Sequence, residues 1–276
     1  MLQNTFMHIQ TIGAVTEQRL WEAGLISWDA YSDNISIPLS GQRKYYLQKG
    51  IDESRHHLSQ NNPAYFSGCL PAHQSWRLFP EFRNSTVYLD IETTGLDRQY
   101  ESITTIATYD GQEIKTYVQG QNLDDFMDEI YKYKVIVTYN GKCFDIPFIE
   151  NYFNVRLNHA QIDLRYILHS LGFRGGLKVC ERQLGLDRDD LRDVDGFLAV
   201  LLWNEFVRTE NQRTLETLLA YNVLDAINLE NLLVTAYNLK LRQTPFHNDL
   251  SIEAPKPPAN PFRPDSAAID RVKYRT

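Results

Sequence analysis

Two carboxylates stand two residues apart at the end of an apolar run in the segment VYLDIETTGL, residues 87–96. The run and the Thr-Thr-Gly that follows it predict a short buried strand ending in a turn. Side chains alternate across a strand, so Asp90 and Glu92 point to one face and Ile91 to the other. Close like charges repel unless a cation lies between them or one takes a proton, and oxygen ligands suit a hard divalent ion such as Mg2+ or Mn2+. The alternative interpretation is an edge strand with two solvated acids.

Two further acidic motifs follow later in the chain. In VTYNGKCFDIPFIE, Asp145 lies in the first turn of a predicted helix and faces back towards the end of a predicted strand. The helix dipole also stabilises an acid at this position, so the alternative to a functional role is an aspartate that only caps the helix. In LLAYNVLDAINLENL, Tyr221 and Asp225 lie one turn apart on the same face of an amphipathic helix. They could equally form a hydrogen-bonded pair at the edge of its apolar stripe.

The elements around these motifs predict a mixed sheet. Asp110-Gly111 between two strand patterns is a strong hairpin signal, so the first three strands are expected to be antiparallel neighbours. A helix capped by Asn122, a buried fourth strand, a second helix and a fifth strand follow. The predicted class is therefore α/β, with a ribonuclease H-like mixed five-stranded sheet, three strands antiparallel and then parallel, flanked by helices. The predicted strands are 87–91, 102–110, 112–119, 134–140 and 160–164, and the helices between them are 122–133 and 144–153.

The chain before this domain is predicted to be a small helical region, residues 1–80. It contains a short helix capped by Thr16 and a longer helix at 41–59 that either continues through Gly50 or breaks there. The stretch 61–82 contains prolines and aromatic residues and is expected to be an irregular connector. The short helix weakly resembles half of a helix-hairpin-helix unit, a module that binds nucleic-acid phosphate. A plain helical cap is the alternative.

The main domain is assigned to residues 84–243, with three later helices at 177–184, 195–208 and 212–239. Residues 244–276 form a Pro-rich, basic tail that is expected to be extended on the surface or disordered, since five prolines lie close together in it. Its basic end could contact nucleic acid or be solvated. The basic residues concerned are Arg263, Arg271, Lys273 and Arg275.

Composition sets the broad class of the protein. A net charge of -7 argues against a broad basic surface that binds nucleic acid regardless of sequence. It is compatible with a local basic groove beside an acidic metal site. The cysteines Cys69, Cys143 and Cys180 show no Cys-x-x-Cys spacing, so we expect reduced residues in or near the core. No signal pattern or membrane-length apolar run is present. A soluble, cytoplasmic protein is expected.

Taken in order, the three acidic motifs resemble those of the DEDD (DnaQ-like) superfamily of exonucleases. The resemblance covers about residues 86–239 and lies in the branch with tyrosine in the last motif, most closely the YprB-type ribonuclease H-like domain proteins. It implies Asp90, Glu92, Asp145 and Asp225 as metal ligands, with Tyr221 placing the attacking water. Four carboxylates can hold two Mg2+ or Mn2+ ions about 3.5 to 4 Å apart, one activating water and the other stabilising the departing 3'-oxygen.

Other residues are candidates for substrate binding. Thr93 belongs to the first motif, and Asn140 could hydrogen-bond substrate or simply end the strand. Basic residues and backbone amides could bind phosphates, with solvated loops as the alternative. These basic candidates are Lys142, Arg174 and Lys178. Asp163, at the end of the last strand, is expected to be structural.

The expected function is a metal-dependent nuclease that acts from 3' to 5' on a strand of DNA or RNA, with a single-stranded end as the expected partner and no membrane. One alternative is a structure-specific endonuclease of the same fold. The other is a non-catalytic nucleic-acid-binding protein that uses the N-terminal region.

Overall fold

A computed structural model of the protein describes residues 1–32, 35–186, 188, 191–192 and 194–273. Five strands form one mixed sheet at its centre. They are β1 (Thr86–Thr93), β2 (Ile103–Tyr109), β3 (Ile114–Val118), β4 (Val135–Thr138) and β5 (Ala160–Asp163). Their order is β3-β2-β1-β4-β5, with the first three antiparallel and the last three parallel. The predicted ribonuclease H-like fold class is confirmed.

Strand β1 is the central strand. Tyr88 pairs with Tyr109 of β2 on one side and with Val137 of β4 on the other. The alternative of an edge strand with solvated acids is therefore wrong. The pairing with β2 shifts register between Glu92 and Thr93, which is a bulge at the end of the strand that carries the acids.

Helices cover both faces of the sheet and form the N-terminal region. Those of residues 1–82 are α1 (Ala14–Glu22), α2 (Gly41–Ser59), α3 (Pro63–Cys69) and α4 (Phe79–Phe82). Those within the sheet domain are α5 (Asp125–Ile130), α6 (Asp145–Tyr152), α7 (Leu164–Ser170), α8 (Leu177–Gln183), α9 (Gly196–Thr209) and α10 (Gln212–Leu241). Two short helices follow, α11 (His247–Leu250) and α12 (Ser266–Lys273). None of the helices in the described parts of the chain is long and apolar enough to cross a membrane.

The side chains of β1 alternate between two apolar cores. Val87, Leu89 and Ile91 pack with Phe126 of α5 and Ile149 of α6 on one face. On the other face, Tyr88 packs in a cluster with residues of α10 and with the N-terminal region. The N-terminal region thus shares a core with the sheet and α10. Among its members are Phe6, Trp28, Phe66 and Trp76.

Several predictions for the N-terminal region are wrong. Thr16 does not cap α1, because the N-cap is Gly13, and the Thr16 hydroxyl instead accepts from Arg43. Helix α2 continues through Gly50, where a Cβ would lie 2.5 Å from Ile9, so this glycine serves close packing. The connector at 61–82 is helical: α3 begins with a proline in the first turn, where a missing N–H costs little, and a 3-10 segment (Ala72–Leu78) and α4 follow.

Two predictions elsewhere also fail. Asn122 does not cap α5, since its side chain accepts from the Val118 N–H and donates to the Thr116 carbonyl of β3, and the helix begins later. Cys69 and Cys143 are exposed rather than in or near the core.

The C-terminal tail is not a solvated extension. Residues 251–265 are largely irregular, as expected, but Asn260 donates to the Ala220 carbonyl of α10 at 2.7 Å. Helix α12 then buries Ala268, Ile269 and Val272 in a cluster with α9 and α10. The predicted basic residue Arg275 lies outside the described residues.

Candidate metal centre

Three carboxylates converge where β1 meets α10. Asp90 and Glu92 point to the α10 face of the sheet because they have the same parity as Tyr88. Asp225 projects from α10, and one oxygen of each residue lies within 4.8 Å of the others. Glu92 and Asp225 are buried, and Asp90 is partly exposed. Such a set of oxygen ligands suits Mg2+ or Mn2+.

Asn222 fixes the orientation of Asp90. Its Nδ2 donates to Asp90 Oδ2 at 2.7 Å and to the Asp90 carbonyl at 3.1 Å. Its Oδ1 accepts from the hydroxyl of Thr105 on β2 at 3.0 Å. The helical pattern predicts that Asn222 lies on the inward face of the helix. It does not predict a role for this residue, because the sequence does not indicate which group an amide in an apolar stripe will bond.

Asp145 is a fourth buried carboxylate in the same cleft. It lies in the first turn of α6, after a turn in which Asn140 has a left-handed φ of 67°. Burial, chiefly, raises the pKa of Asp145 to about 7; nearby Asp163 and Asp225 raise it further, and backbone amides oppose the shift. Within the described part of the chain, the close cluster contains three carboxylates and leaves Asp145 out.

The site concentrates negative charge away from water. Burial raises the pKa values of Asp90 and Glu92 well above their usual range, and repulsion from Asp225 adds to both shifts. Lys178 and Arg188 act in the opposite direction on Glu92. A divalent cation among these oxygens would relieve the repulsion, so the donor set fits a metal.

Tyr221 lies one turn before Asp225 and is buried in the same cleft. Burial, followed by the charges of Asp225 and Glu92, raises its pKa far above the usual range. Its phenol therefore stays protonated and can donate a hydrogen bond. The Lys178 ammonium lies 4.9 Å from the centre of its ring.

Arg188 and Glu181 were missed by sequence reasoning. Arg188 Nη1 lies 2.5 Å from Asp225 Oδ1, and its Nε donates to Glu181, whose other oxygen accepts from Asn228 at 2.9 Å. Burial opposes the charge of Arg188, but Asp225 and Glu181 outweigh it, and the pKa rises above its usual value. Because α8 ends before Arg188, no helical spacing in the sequence links this arginine to its partners.

The substrate-binding candidates divide into two groups. Thr93 and Asn140 line the cleft, although the Asn140 side chain accepts from Arg165 and its N–H donates to Asp163. The three basic candidates, Lys142, Arg174 and Lys178, are not among the residues that line the cleft, although the Lys178 ammonium lies 4.9 Å from the ring of Tyr221, which does line it. Asp163 accepts backbone N–H groups of 140, 142 and 165, so its predicted structural role is confirmed.

The cleft in front of the carboxylates has a volume of about 520 Å3. The acids and Tyr221 line it together with apolar side chains. These apolar residues include Leu96, Phe144, Leu177, Phe197 and Val200. Such a lining can hold a charged group at the acids and contact a flat or apolar group beside it.

The sequence profile of the RNase_H superfamily matches residues 87–237, which include most of β1 and α10 and all four carboxylates. The chain belongs to the RNase_H superfamily. Comparison with curated protein sequences finds no match.

Solved structures resemble the chain weakly. Brucella melitensis NrnC is 15% identical, with a TM-score of 0.42, over 71% of this chain and 84% of that one. The family B DNA polymerase of the archaeon Pyrobaculum calidifontis is 18% identical, with a TM-score of 0.41, over 57% of this chain and 24% of that one. A structure described as the apo form of a nuclease is 17% identical, with a TM-score of 0.41, over 58% and 75% of the two chains.

Proposed function

We propose that this member of the RNase_H superfamily is a metal-dependent nuclease that removes nucleotides from the 3' end of DNA or RNA. The observation that carries the proposal is the convergence of Asp90, Glu92 and Asp225 at the junction of β1 and α10. We assign the chain to the tyrosine branch of the DEDD exonucleases, of YprB type, and the nuclease domain to residues 84–243.

The four carboxylates are proposed to hold the metal. Asp90, Glu92 and Asp225 form the close cluster, and Asp145 supplies a fourth carboxylate from α6 in the same cleft. Two bound Mg2+ or Mn2+ ions would activate a water and stabilise the charge on the departing oxygen. Asn222 holds Asp90 in one orientation, and Arg188 holds Asp225, so these ligands do not have to be ordered when the ions bind.

Tyr221 is proposed to orient the attacking water. Its raised pKa excludes a role as a base near neutral pH, and its position beside Asp225 places a hydroxyl donor at the ligands. Lys178 stands beside this ring with a partly buried ammonium, where it can bind a phosphate oxygen of the substrate. The apolar residues that line the cleft can contact the base or sugar of the terminal nucleotide.

The proposal is tested with 5'-labelled and 3'-labelled single strands, each as DNA and as RNA, incubated with the full chain and Mn2+. A ladder of shortening 5'-labelled products, abolished by EDTA and by Asp90→Asn, is expected. Asp128→Asn is the matched control, because Asp128 is an exposed acid of α5. Discrete internal fragments would instead indicate an endonuclease. Intact substrate with a gel shift would indicate a binding protein and overturn the catalytic assignment.

A further inference from the structure

A second cavity, of about 580 Å3, lies on a different part of the molecule from the carboxylate cleft. It lies between α1, the 3-10 segment Ala72–Leu78 and the end of α10. We call it the Lys240 pocket, and its principal side chains are Trp21, Gln74, Arg77, Lys240 and Gln243. Its volume falls within the range of small-molecule sites, roughly 300 to 1,000 Å3.

Lys240 is the unusual residue of this pocket. Only 6% of it is exposed. Among residues 1–32, 35–186, 188, 191–192 and 194–273, no carboxylate lies within 4.0 Å of its ammonium and no group accepts a hydrogen bond from it. Burial, followed by the charge of Arg77, lowers its pKa. The dipole at the end of α10 favours a cation there.

The buried acid of the pocket, Glu17, is already paired with other groups. Glu17 accepts two hydrogen bonds from Arg77, at 3.0 and 2.9 Å, and also the backbone N–H groups of Phe6 and Met7. Arg77 is held between the rings of Trp21 and Trp76, at 5.8 and 5.2 Å. Glu17 therefore compensates the charge of Arg77, and no carboxylate of the described residues is left to compensate the charge of Lys240.

The rest of the pocket suits an anion with an attached organic group. The Gln74 carbonyl accepts from Trp76 and Arg77, which leaves its NH2 group as a donor. Arg242 stands exposed at the rim. Glu22, also at the rim, is exposed and bonded to Gln18, so water screens its charge. The partly exposed ring of Trp21 offers apolar surface beside these donors.

We propose that the Lys240 pocket binds the phosphate group of a small phosphate ester, with the ammonium of Lys240 as its main ligand. Most of the Lys240 side chain is buried and its ammonium has no partner among the described residues, so a phosphate in the pocket would supply the missing charge and acceptors. Lys240 follows Asp225 by fifteen residues on the same helix, or roughly 22 Å along its axis. The site is thus separate from the metal centre and does not depend on the proposed nuclease reaction.

The test is calorimetric titration of the full chain in EDTA, so that no metal carries phosphate to the carboxylates. The probes are inorganic phosphate, adenosine 5'-monophosphate and adenosine. We expect saturable binding of both phosphate compounds, and roughly tenfold weaker binding by Lys240→Met and Lys240→Gln. Lys240→Arg should restore it. Lys256→Met is the matched control, since Lys256 is exposed, and should bind like the unmodified chain.

Two readouts show that the effect is not misfolding. Without ligand, Lys240→Met should have an unchanged or higher melting temperature, because the substitution removes no ion pair or hydrogen bond of the described residues and keeps an apolar stem of similar length. With phosphate, the melting temperature should rise for the unmodified chain but not for the variant.

Tighter binding of the nucleotide than of phosphate would show that the organic group contributes. Equal binding would show a site for the phosphate alone, and both results support the proposal. Absence of saturable binding, equal binding of adenosine, or unchanged affinity in Lys240→Met would overturn it.

Discussion

Replacing Arg188 with methionine tests the buried charge network behind the metal centre. The substitution keeps much of the side-chain volume but removes the guanidinium between Asp225 and Glu181. Asp225 then has no compensating cation on that side, while Glu181 keeps its bond from Asn228. Removing one partner of a buried ion pair costs roughly 3 to 5 kcal/mol. For a chain of this length, 1 kcal/mol is worth about 2 °C, so the melting temperature should fall by about 6 to 10 °C.

The assay is thermal unfolding followed by circular dichroism, in EDTA and in saturating Mn2+. Metal should stabilise both proteins, but it should stabilise Arg188→Met more, because Asp225 then regains a compensating charge. The difference between the two proteins should therefore be smaller in Mn2+ than in EDTA. Arg156→Met is the matched control: Arg156 forms an exposed ion pair with Glu150, and its loss should change stability by less than about 1 kcal/mol.

Two results would refute this reasoning. An unchanged melting temperature in EDTA would show that the guanidinium does not compensate the buried carboxylates. An equal difference in EDTA and in Mn2+ would show that Asp225 does not serve both the arginine and the metal.

Three further predictions concern other parts of the domain. Tyr221→Phe should leave the Mn2+ affinity unchanged but slow single-turnover hydrolysis roughly 10- to 100-fold, and weakened metal binding would contradict an orienting role. Gly141→Ala should lower stability by about 1 to 3 kcal/mol in denaturant unfolding, because a Cβ there would lie 2.2 Å from the buried threonine hydroxyl of β4, whereas Gly41→Ala, in the first turn of α2 with open space around it, should be neutral or slightly stabilising. Hydrogen bonds from Lys115, chiefly, lower the pKa of Glu129 from 4.5 to about 2. The free energy of unfolding lost in Glu129→Gln should therefore be greatest above pH 4.5 and decline as the pH falls towards 2, and equal losses at pH 6 and pH 3 would contradict it.

The sheet and the positions of the acids could be predicted because they depend on local patterns. Alternation along β1 placed Asp90 and Glu92 on one face, and the Asp-Gly turn identified the β2–β3 hairpin. The four-residue spacing of Tyr221 and Asp225 placed both on one side of α10. The structure brings Asp90, Glu92 and Asp225 together and places Asp145 and Tyr221 in the same cleft.

The parts that could not be predicted depend on tertiary contacts. Asn122 has the residue type of a helix cap, but it bonds to the backbone of β3 because the chain folds back there before α5 begins. Helix α12 is short and follows five prolines, and the apolar surface of α9 and α10 that it covers is not visible in its own sequence. Arg188 reaches Asp225 and Glu181 from a loop, so its role follows from the folded arrangement alone.

The apolar residues of β1 determine where its acids can lie. Val87, Leu89 and Ile91 pack against α5 and α6, and Asp90 and Glu92 therefore face α10. A slip of one residue in the pairing would reverse every side chain. Both carboxylates would then enter the core around Phe126 and Ile149 without a partner, while apolar neighbours such as Ile91 would take their place opposite Asp225. Burying even one unpaired carboxylate there would cost several kcal/mol, which is comparable with the whole stability of a domain, about 5 to 15 kcal/mol. The same alternation that stabilises the sheet thus selects the one register in which the metal ligands meet.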